Sequence, residues 1–268
     1  MSGSIHPTAL IADGAKLAEN VKIGPYCVIG EHVSLGEGSE LISHVVIGGR
    51  TTIGKGNRFF PFSAIGMEPQ DLKYHGEPST VQIGDNNTFR ENVTVNCGTE
   101  GGGMVTSLGN NNLLMAYVHI AHDCHIGNEV VMANCATLAG HITINDGAII
   151  GGMSAIHQFV RIGRFSMIGG MSGITKDVPP FCLTAGGYRS GLVGLNTIGL
   201  KRRKFSLEEI ARLKQAYRIL LQGSGKMNDK IALAEQELDD TPIIRELLDF
   251  VRQAERGLIM HGRNDSDE

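Results

Sequence analysis

Large apolar residues recur at every sixth position over most of this chain. One run steps from Ile5 to Ile65, a second steps from Leu108 to Ile174, and Ile83, Phe89 and Val95 continue the phase of the first. Neither the 3.6-residue period of an amphipathic helix nor the two-residue alternation of an ordinary strand produces this pattern. A period of six is typical of short parallel strands that tight corners join into a helical coil.

The residues around each large position support the same interpretation. Two positions earlier stands a small or β-branched residue, as at Val21 and Cys27, and the following residue is often glycine, as at Gly24. Three hexads close one triangular coil, so about 26 hexads give roughly eight to nine coils. We therefore expect a parallel β-helix, whose handedness the spacing does not determine. Cys27 and Cys124 take the small inward position and are expected to be packing residues.

Two segments interrupt the hexads. Residues 66–82, GMEPQDLKYHGEPSTVQ, combine charged and aromatic side chains that include Asp71, Lys73 and Tyr74, which favours a functional loop. Residues 98–107, GTEGGGMVTS, are rich in glycine and shift the phase by one residue. This second segment is expected to be a flexible flap.

The chain changes character after Val178-Pro179-Pro180, where the hexads end. The stretch Ser206-Leu207-Glu208-Glu209 is a capping box, and apolar residues follow it at helical spacing until a Gly-Ser-Gly break at 223–225. A second helix is expected near 228–239, and a third from Pro242 to about Arg256. The chain thus divides into a β-helix at 1–190 and a helical domain at 191–268.

Composition narrows the possible functions. Charged residues make up 19% of the chain and the formal net charge is −4, which argues against a nucleic-acid partner. The five cysteines form no CxxC pair, so reduced thiols in a cytoplasm fit better than disulfides or a zinc site. No signal peptide is recognisable, and no apolar run approaches the roughly 20 residues of a membrane span.

Four histidines are brought together by the coil period. With eighteen residues per coil, His122 stacks with Gly140 and Gln158 in one column, and Asp123 lies over His141. We expect an outward cluster near one edge of the prism, formed by His119, His122, His141 and His157. Three interpretations stay open, which are solvated surface histidines, a zinc site completed by a partner subunit, and a catalytic site between subunits of a symmetric oligomer. Asp123 beside the cluster is expected to be a surface residue, which could orient a histidine, compensate its charge or have no role.

Several longer motifs carry a family resemblance. They are QDLKY with HGEP behind it, NLLM followed by HIAHDC, ATLAGH, IIGG followed by IHQF, KDVPP, GLKRR and a tail that ends in ERGLIM. Together they span nearly the whole chain, which resembles the UDP-N-acetylglucosamine O-acyltransferases of the hexapeptide-repeat superfamily. The resemblance implies a left-handed β-helix, a cytoplasmic homotrimer with active sites between subunits, and a role in the first step of lipid A synthesis. The donor would be an (R)-3-hydroxyacyl group on acyl carrier protein, and the acceptor the glucosamine 3-hydroxyl of UDP-N-acetylglucosamine. No cofactor is implied beyond the 4′-phosphopantetheine that arrives on the carrier, and no metal.

The resemblance also implies roles for individual residues. His122 would be the general base, and the backbone N–H of Gly140 would stabilise the oxyanion. Substrate contacts would come from Gln70, Asp71, Lys73, His119, His141, His157 and Gln158. Contacts to the nucleotide or the carrier phosphate would come from Asn196, Arg202 and Arg203.

Donor length is expected to depend on Gly170 and Met171, because a glycine there leaves room for a long hydroxyacyl chain. The family pattern is not matched everywhere, since Ile198 replaces a frequent glutamate and Asn96-Cys97 replaces a frequent His-Arg pair. The alternatives are the sister N-acyltransferase, whose extra N-terminal domain has no counterpart before Ile5, a carbonic-anhydrase-like zinc protein and a non-catalytic scaffold.

Overall fold

A computed structural model describes residues 4–188 and 190–261 of the chain. Most strands have two residues, of which the first points outward and the second, the large residue of the hexad, is buried in the core. The strands of the first half are β1 (Ser4–Ile5), β2 (Leu10–Ile11), β3 (Lys16–Leu17), β4 (Lys22–Ile23), β5 (Val28–Ile29), β6 (Ser34–Leu35), β7 (Glu40–Leu41), β8 (Val46–Ile47), β9 (Arg50–Ile53), β10 (Arg58–Phe59), β11 (Ala64–Met67), β12 (Thr80–Ile83), β13 (Thr88–Phe89) and β14 (Thr94–Asn96).

The second half continues the same pattern to the end of the prism. Its strands are β15 (Val105–Leu108), β16 (Leu113–Leu114), β17 (His119–Ile120), β18 (His125–Ile126), β19 (Val131–Met132), β20 (Thr137–Leu138), β21 (Thr143–Ile144), β22 (Ile149–Ile150), β23 (Ala155–Ile156), β24 (Arg161–Ile162), β25 (Met167–Ile168), β26 (Gly173–Ile174), β27 (Cys182–Ala185) and β28 (Gly191–Leu195). The last two pair antiparallel, whereas every earlier pair is parallel.

Three flat sheets form the faces of the prism. Face A has the order β1-β4-β7-β10-β13-β16-β19-β22-β25-β27-β28, face B runs from β2 to β26 in steps of three, and face C runs from β3 to β24 in the same way. The chain turns a corner as it passes from one face to the next. We call the corner between faces A and B edge AB, the corner between B and C edge BC, and the corner between C and A edge CA. The 26 strands from β1 to β26 equal the number of hexads expected. From β4 onward their large residues form one continuous buried core that includes Cys27 and Cys124, whereas Ile5 at the first coil is exposed.

Both insertions leave the prism at edge BC. Of the first segment, residues 68–79 lie between β11 and β12, and of the second, residues 98–104 lie between β14 and β15. A column of buried asparagines keeps the coils in register past them, because the Asn87 amide donates to Asn57 Oδ1 at 3.0 Å and the Asn112 N–H donates to Asn87 Oδ1 at 2.8 Å. These partners are 30 and 25 residues apart instead of the usual 18. The extra residues therefore sit outside the prism without displacing the core.

In the described residues after the prism, which run from 190 to 261, there are four α-helices, namely α1 (Thr197–Arg202), α2 (Leu207–Tyr217), α3 (Met227–Glu237) and α4 (Pro242–Arg252). The expected capping box at Ser206 is present, and α2 continues as a π-helical turn, Arg218–Gln222, up to Gly223. The third expected helix begins at Pro242 but ends at Arg252, four residues before the expected end. Helix α1 was not expected, and the proposed boundary at residue 190 stays a prediction.

The helices pack against the C-terminal coils. Arg164 on edge CA forms hydrogen bonds with both carboxylate oxygens of Glu246 in α4, and the Arg161 guanidinium lies 4.4 Å from the Phe250 ring centroid. Burial raises the pKa of Asp177, whose backbone pairs with Gly257 and Ile259 of the tail. No helix in residues 4–188 and 190–261 has the length and apolarity to cross a membrane.

Candidate active site

His122 and Asp123 occupy edge BC between β17 and β18, on the same edge as both insertions. His122 Nδ1 lies 2.8 Å from Asp123 Oδ2, and its side chain is 13% exposed. Because a carboxylate accepts hydrogen bonds, Nδ1 carries the proton and the Nε2 lone pair is left free. Nε2 faces residues 66–82, where Asp71 Oδ2 lies 3.8 Å away. The arrangement supplies a base that is oriented from behind by a carboxylate.

Asp123 is buried, which makes the expectation of a surface residue wrong. Its side chain has no exposed surface, and its carboxylate accepts hydrogen bonds from the Thr99 N–H at 2.8 Å and the Thr99 hydroxyl at 2.6 Å. The Asp123 N–H donates to Thr106 Oγ1 at 2.8 Å. Residues 98–107 therefore fold over the carboxylate. They contain a 3₁₀ turn, Glu100–Gly102, and most of the strand β15, rather than the flexible flap expected from their glycines.

Two further histidines border His122. The His141 ring meets the His122 ring edge to face at 5.0 Å between centroids and stacks on Phe159 at 4.4 Å. Burial lowers the pKa of His141, and the Asp123 carboxylate partly opposes that effect. His119 shares a hydrogen bond of 2.8 Å with Thr94, and burial lowers the pKa of its ring as well. Both rings are therefore neutral near pH 7 and present polar nitrogens without an added charge.

Gly140 lies directly beside the His122 ring, in the column expected from the coil period. A Cβ at this position would lie 2.4 Å from His122 Cε1 and 2.7 Å from Nε2, so only glycine allows the ring to lie where it does. Within the described residues, no acceptor is paired with the Gly140 N–H. The site thus offers a free backbone donor next to a free imidazole nitrogen, which is the pairing that acyl transfer requires.

The remaining predicted contacts on this edge surround the pair. Asp71 sits on the loop with its pKa lowered, mainly by the Lys73 N–H that donates to its carboxylate at 3.0 Å. Gln70 and Lys73 are exposed on either side of it. His157 and Gln158 are exposed one coil further on, and Gln158 continues the column of His122 and Gly140.

Five predicted residues lie elsewhere on the chain. Gly170 and Met171 are exposed on edge AB. Asn196 caps α1, since its Oδ1 accepts from the Gly199 N–H and its amide donates to the Phe165 carbonyl. Of the two arginines, Arg202 is exposed and Arg203 is half-buried.

Arg203 is engaged by edge CA of its own chain. Its guanidinium pairs with Glu129 at 3.0 Å, donates to the Gly147 carbonyl at 3.2 Å and lies 4.2 Å from the Phe165 ring centroid. The predicted site residues therefore occupy three different edges of one chain. A single chain does not bring them together.

A metal could be held only by rearranging the base. His122, Asp123 and His141 offer ligand atoms within 4.8 Å of one another, whereas His119, part of the zinc interpretation, is not in this group. Asp123 Oδ2 already accepts from His122 and from the Thr99 hydroxyl. An ion would have to replace those hydrogen bonds, so the geometry suits a hydrogen-bonded base better than a zinc ligand set.

Comparison with known proteins identifies the family. The family model described as "Udp N-acetylglucosamine O-acyltransferase; Domain 2" matches residues 177–259, and that of the bacterial transferase hexapeptide (six repeats) matches 106–140. An acyl-[acyl-carrier-protein]--UDP-N-acetylglucosamine O-acyltransferase from Xylella fastidiosa is 53% identical over 95% of this chain and 97% of its own. The chain belongs to the UDP-N-acetylglucosamine O-acyltransferases.

Solved structures of the UDP-N-acetylglucosamine O-acyltransferases share the fold. LpxA from Acinetobacter baumannii superposes with a TM-score of 0.93 at 41% identity, covering 95% of this chain and 99% of its own. LpxA from Bacteroides fragilis gives 0.93 at 44% identity, with 96% and 100% covered. The expected left-handed parallel β-helix followed by helices is confirmed.

Sequence reasoning missed Thr99 and Thr106, which hold Asp123. One signal was available in the sequence. Asp123 immediately follows His122, and the stretch GTEGGG, residues 98–103, lies about one coil before Asp123.

Proposed function

We propose that the chain transfers an (R)-3-hydroxyacyl group from acyl carrier protein to the glucosamine 3-hydroxyl of UDP-N-acetylglucosamine, the first step of lipid A synthesis. The observation that carries the proposal is the His122–Asp123 pair, whose free Nε2 lies beside the unpaired N–H of Gly140. The relatives' printed activity supplies the substrates. An imidazole is the natural base for a sugar hydroxyl near neutral pH.

The reaction follows from these groups. His122 Nε2 takes the proton of the 3-hydroxyl while the sugar oxygen attacks the thioester carbonyl carbon. The Gly140 N–H donates to the oxygen on which negative charge develops. When the tetrahedral intermediate collapses, the carbon–sulfur bond breaks and the departing thiolate takes the proton from the imidazolium. Asp123 stabilises the transient positive charge on His122, and no cofactor is consumed.

Side chains around the pair have properties suited to the acceptor. Asp71 lies on the loop 3.8 Å from Nε2, with Gln70 and Lys73 exposed beside it, and these side chains can hydrogen-bond to sugar hydroxyls. The neutral rings of His119 and His141 can donate or accept without repelling the imidazolium. His157 and Gln158 extend the same edge toward the next coil and remain proposed substrate contacts.

A homotrimer would complete the site, and face B is the surface suited to it. Faces A and C carry outward charges such as Lys22, Glu40 and Arg161, whereas face B does not. Its nine outward residues are Leu10, Val28, Val46, Ala64, Thr94, His119, Thr137, Ala155 and Gly173. A surface so poor in charge is typical of one that is covered in an assembly.

Three copies with face B toward a common axis would bring edge AB of one subunit against edge BC of the next. Edge AB carries large apolar side chains that are more than half exposed in the single chain, at Tyr26, Phe62, Tyr117, Met153 and Met171. In this arrangement, the apolar edge supplies a wall for the acyl chain and the histidine edge supplies the chemistry. Gly170 lies beside Met171 on the apolar edge.

The acyl carrier protein and the UDP-sugar are the proposed partners, in the cytoplasm. The stretch 201–204, Lys-Arg-Arg-Lys, offers positive charge for a diphosphate or for an acidic carrier. Arg203 is paired with Glu129, and Asn196 caps α1. The exposed Arg202 is therefore the predicted contact whose side chain can reach a ligand without breaking either of these interactions. All three would serve a neighbouring subunit's site.

The experiment that tests the function is mass spectrometry of UDP-N-acetylglucosamine incubated with 3-hydroxymyristoyl-acyl carrier protein. We expect an O-acylated sugar nucleotide from a preparation that sediments at three times the chain mass. A parallel reaction with the 3-amino analogue separates an ester from an amide product. A preparation of trimers that acylates neither acceptor with any chain length would contradict the proposed function.

Gly170→Met should shift the donor preference toward shorter hydroxyacyl chains. A Cβ at Gly170 would approach the Gly152 carbonyl at 3.2 Å, so the backbone needs only a small adjustment and the longer side chain extends from the exposed edge. Each buried methylene is worth ~0.8 kcal/mol, so excluding several of them changes the relative rates of long and short donors on the order of 10²-fold. Rates with a series of acyl carrier proteins measure the change, with the KM for UDP-N-acetylglucosamine as the control. An unchanged preference would remove Gly170 from the acyl path.

A further inference from the structure

Residues 98–107 enclose the carboxylate of Asp123 on the side opposite His122. Thr99 contributes both its N–H, 2.8 Å from Oδ1, and its hydroxyl, 2.6 Å from Oδ2. Oδ2 is also the oxygen that accepts from His122 Nδ1. Thr99 is 6% exposed and Asp123 is 2% exposed, so water does not compete for these hydrogen bonds.

One glycine of the segment is required by the same carboxylate, since a Cβ on Gly102 would lie 1.9 Å from Asp123 Cγ. A Cβ on Gly98 would first meet the backbone of the segment itself, at 2.2 Å from the Val105 nitrogen, and then Asp123 Oδ1 at 2.8 Å. Gly101, the neighbour of Gly102 in the same 3₁₀ turn, would meet nothing within 4 Å. The glycine run thus fits closely around Asp123 at selected positions, rather than only relaxing the backbone.

We propose that Thr99, with Gly102, is a positioning element that fixes the Asp123 carboxylate and, through it, the orientation and proton position of His122. The inference rests on the proposed function of His122. Thr99 does not touch substrate. Its hydroxyl holds Oδ2 at one rotation of the carboxyl group and shares that oxygen's negative charge, so that His122 keeps its proton on Nδ1 and its free nitrogen toward Asp71.

The charged and titratable groups that face His122 come from four segments of the chain. They are Asp71 and Lys73 of the loop, Asp123 beside His122, His119 on β17 and His141 on the next coil. All of them influence the protonation of His122. Removing the Thr99 hydroxyl leaves these groups in place. It also leaves the carboxylate charge less compensated, which favours the imidazolium.

Thr99→Val tests the hydroxyl alone, because the shape and the backbone N–H are kept. We expect kcat to fall on the order of 10-fold with KM for the sugar nucleotide nearly unchanged, and Thr99→Ser to restore most of the rate. The acid limb of the kcat/KM pH profile should move to higher pH by roughly half a unit. Thr80→Val is the matched control, since the Thr80 hydroxyl donates to the Met104 carbonyl of the same segment and not to Asp123.

Gly102→Ala compared with Gly101→Ala tests the fit around the carboxylate by a second route. Both add one methyl group to the same turn, yet only the first meets Asp123. We expect Gly102→Ala to lower kcat on the order of 10-fold or more, whereas Gly101→Ala keeps the wild-type rate. Equal effects of the two substitutions, at equal thermal stability, would overturn the proposed fit.

Carbethoxylation of His122 by diethyl pyrocarbonate gives a readout that does not need acyl transfer. The reagent modifies the unprotonated ring, and peptide mass spectrometry follows His122 separately from the other histidines. The midpoint of its pH profile should rise in Thr99→Val and stay at the wild-type value in Thr80→Val and Thr99→Ser. A midpoint and a kcat that are both unchanged in Thr99→Val would overturn the inference. A missing acyl product from the wild type with a shifted midpoint would instead refute the proposed function and keep the positioning role.

Discussion

Replacing His122 with alanine should lower kcat on the order of 10²- to 10⁴-fold, which is the usual contribution of a general base. Among the histidines of the described residues, His122 combines a carboxylate on Nδ1 with a free Nε2 beside the Gly140 N–H, which has no acceptor there. The neighbouring histidines do not replace it, because burial disfavours their charged forms and neither is held by a carboxylate at hydrogen-bond distance. Steady-state rates with saturating donor and acceptor give the ratio directly.

His125→Ala is the matched control for this substitution. His125 belongs to the same motif but points outward from face C, where its Nδ1 meets the Ser107 hydroxyl at 2.9 Å. We expect a rate within a factor of about two of the wild type, because an exposed side chain that points outward from face C contributes little. A large loss in His125→Ala, or a small one in His122→Ala with the oligomer intact, would remove His122 as the base.

Gly140→Ala should be nearly as damaging, although it adds only a methyl group. Its Cβ would lie 2.4 Å from His122 Cε1, a distance that real Cβ atoms essentially never show. The ring must turn away, which breaks the 2.8 Å hydrogen bond to Asp123, and the backbone N–H shifts from the place where the oxyanion forms. Loss of one oxyanion donor alone costs on the order of 10²–10³ in kcat. We expect a loss of at least that size.

The measurement for Gly140→Ala is kcat and KM together with the melting temperature. Because the substitution acts on the base and the oxyanion donor, kcat should fall while KM for UDP-N-acetylglucosamine changes little. Gly194→Ala is a control, since a Cβ at Gly194 meets nothing within 4 Å. A Gly140→Ala protein with the wild-type kcat would show that neither the ring position nor the N–H limits the reaction.

The prism could be predicted from the sequence because its signal is periodic. Each hexad places one large residue inward, so the column of His122 and Gly140 follows from counting eighteen residues. Helix α2 was predictable for a related reason, since the Ser206 capping box is local in sequence. Helix α1 was not predicted because it has only six residues. Its N-cap, Asn196, was assigned to a contact with the nucleotide or the carrier phosphate and not to a helix start.

The burial of Asp123 could not be predicted in the same way. Its hexad position points outward, and the segment that covers it has no period from which a contact could be counted. The covering depends on Thr99, 24 residues earlier, which reaches the carboxylate only because the intervening glycines bend closely around it. Contacts between an irregular loop and a regular scaffold are set by three-dimensional fit, and a one-dimensional pattern does not record them.

The asparagine column inside the prism has a consequence for how this architecture can diversify. Asn57, Asn87 and Asn112 form hydrogen bonds from coil to coil although the number of residues between them differs. The separations are 30 and 25 residues, because the chain leaves the prism between these partners. Segments at edge BC can therefore be lengthened, shortened or exchanged while each coil keeps its register on the coil before it. The shape of edge BC can change by insertion and deletion, with no compensating substitution in the aliphatic interior.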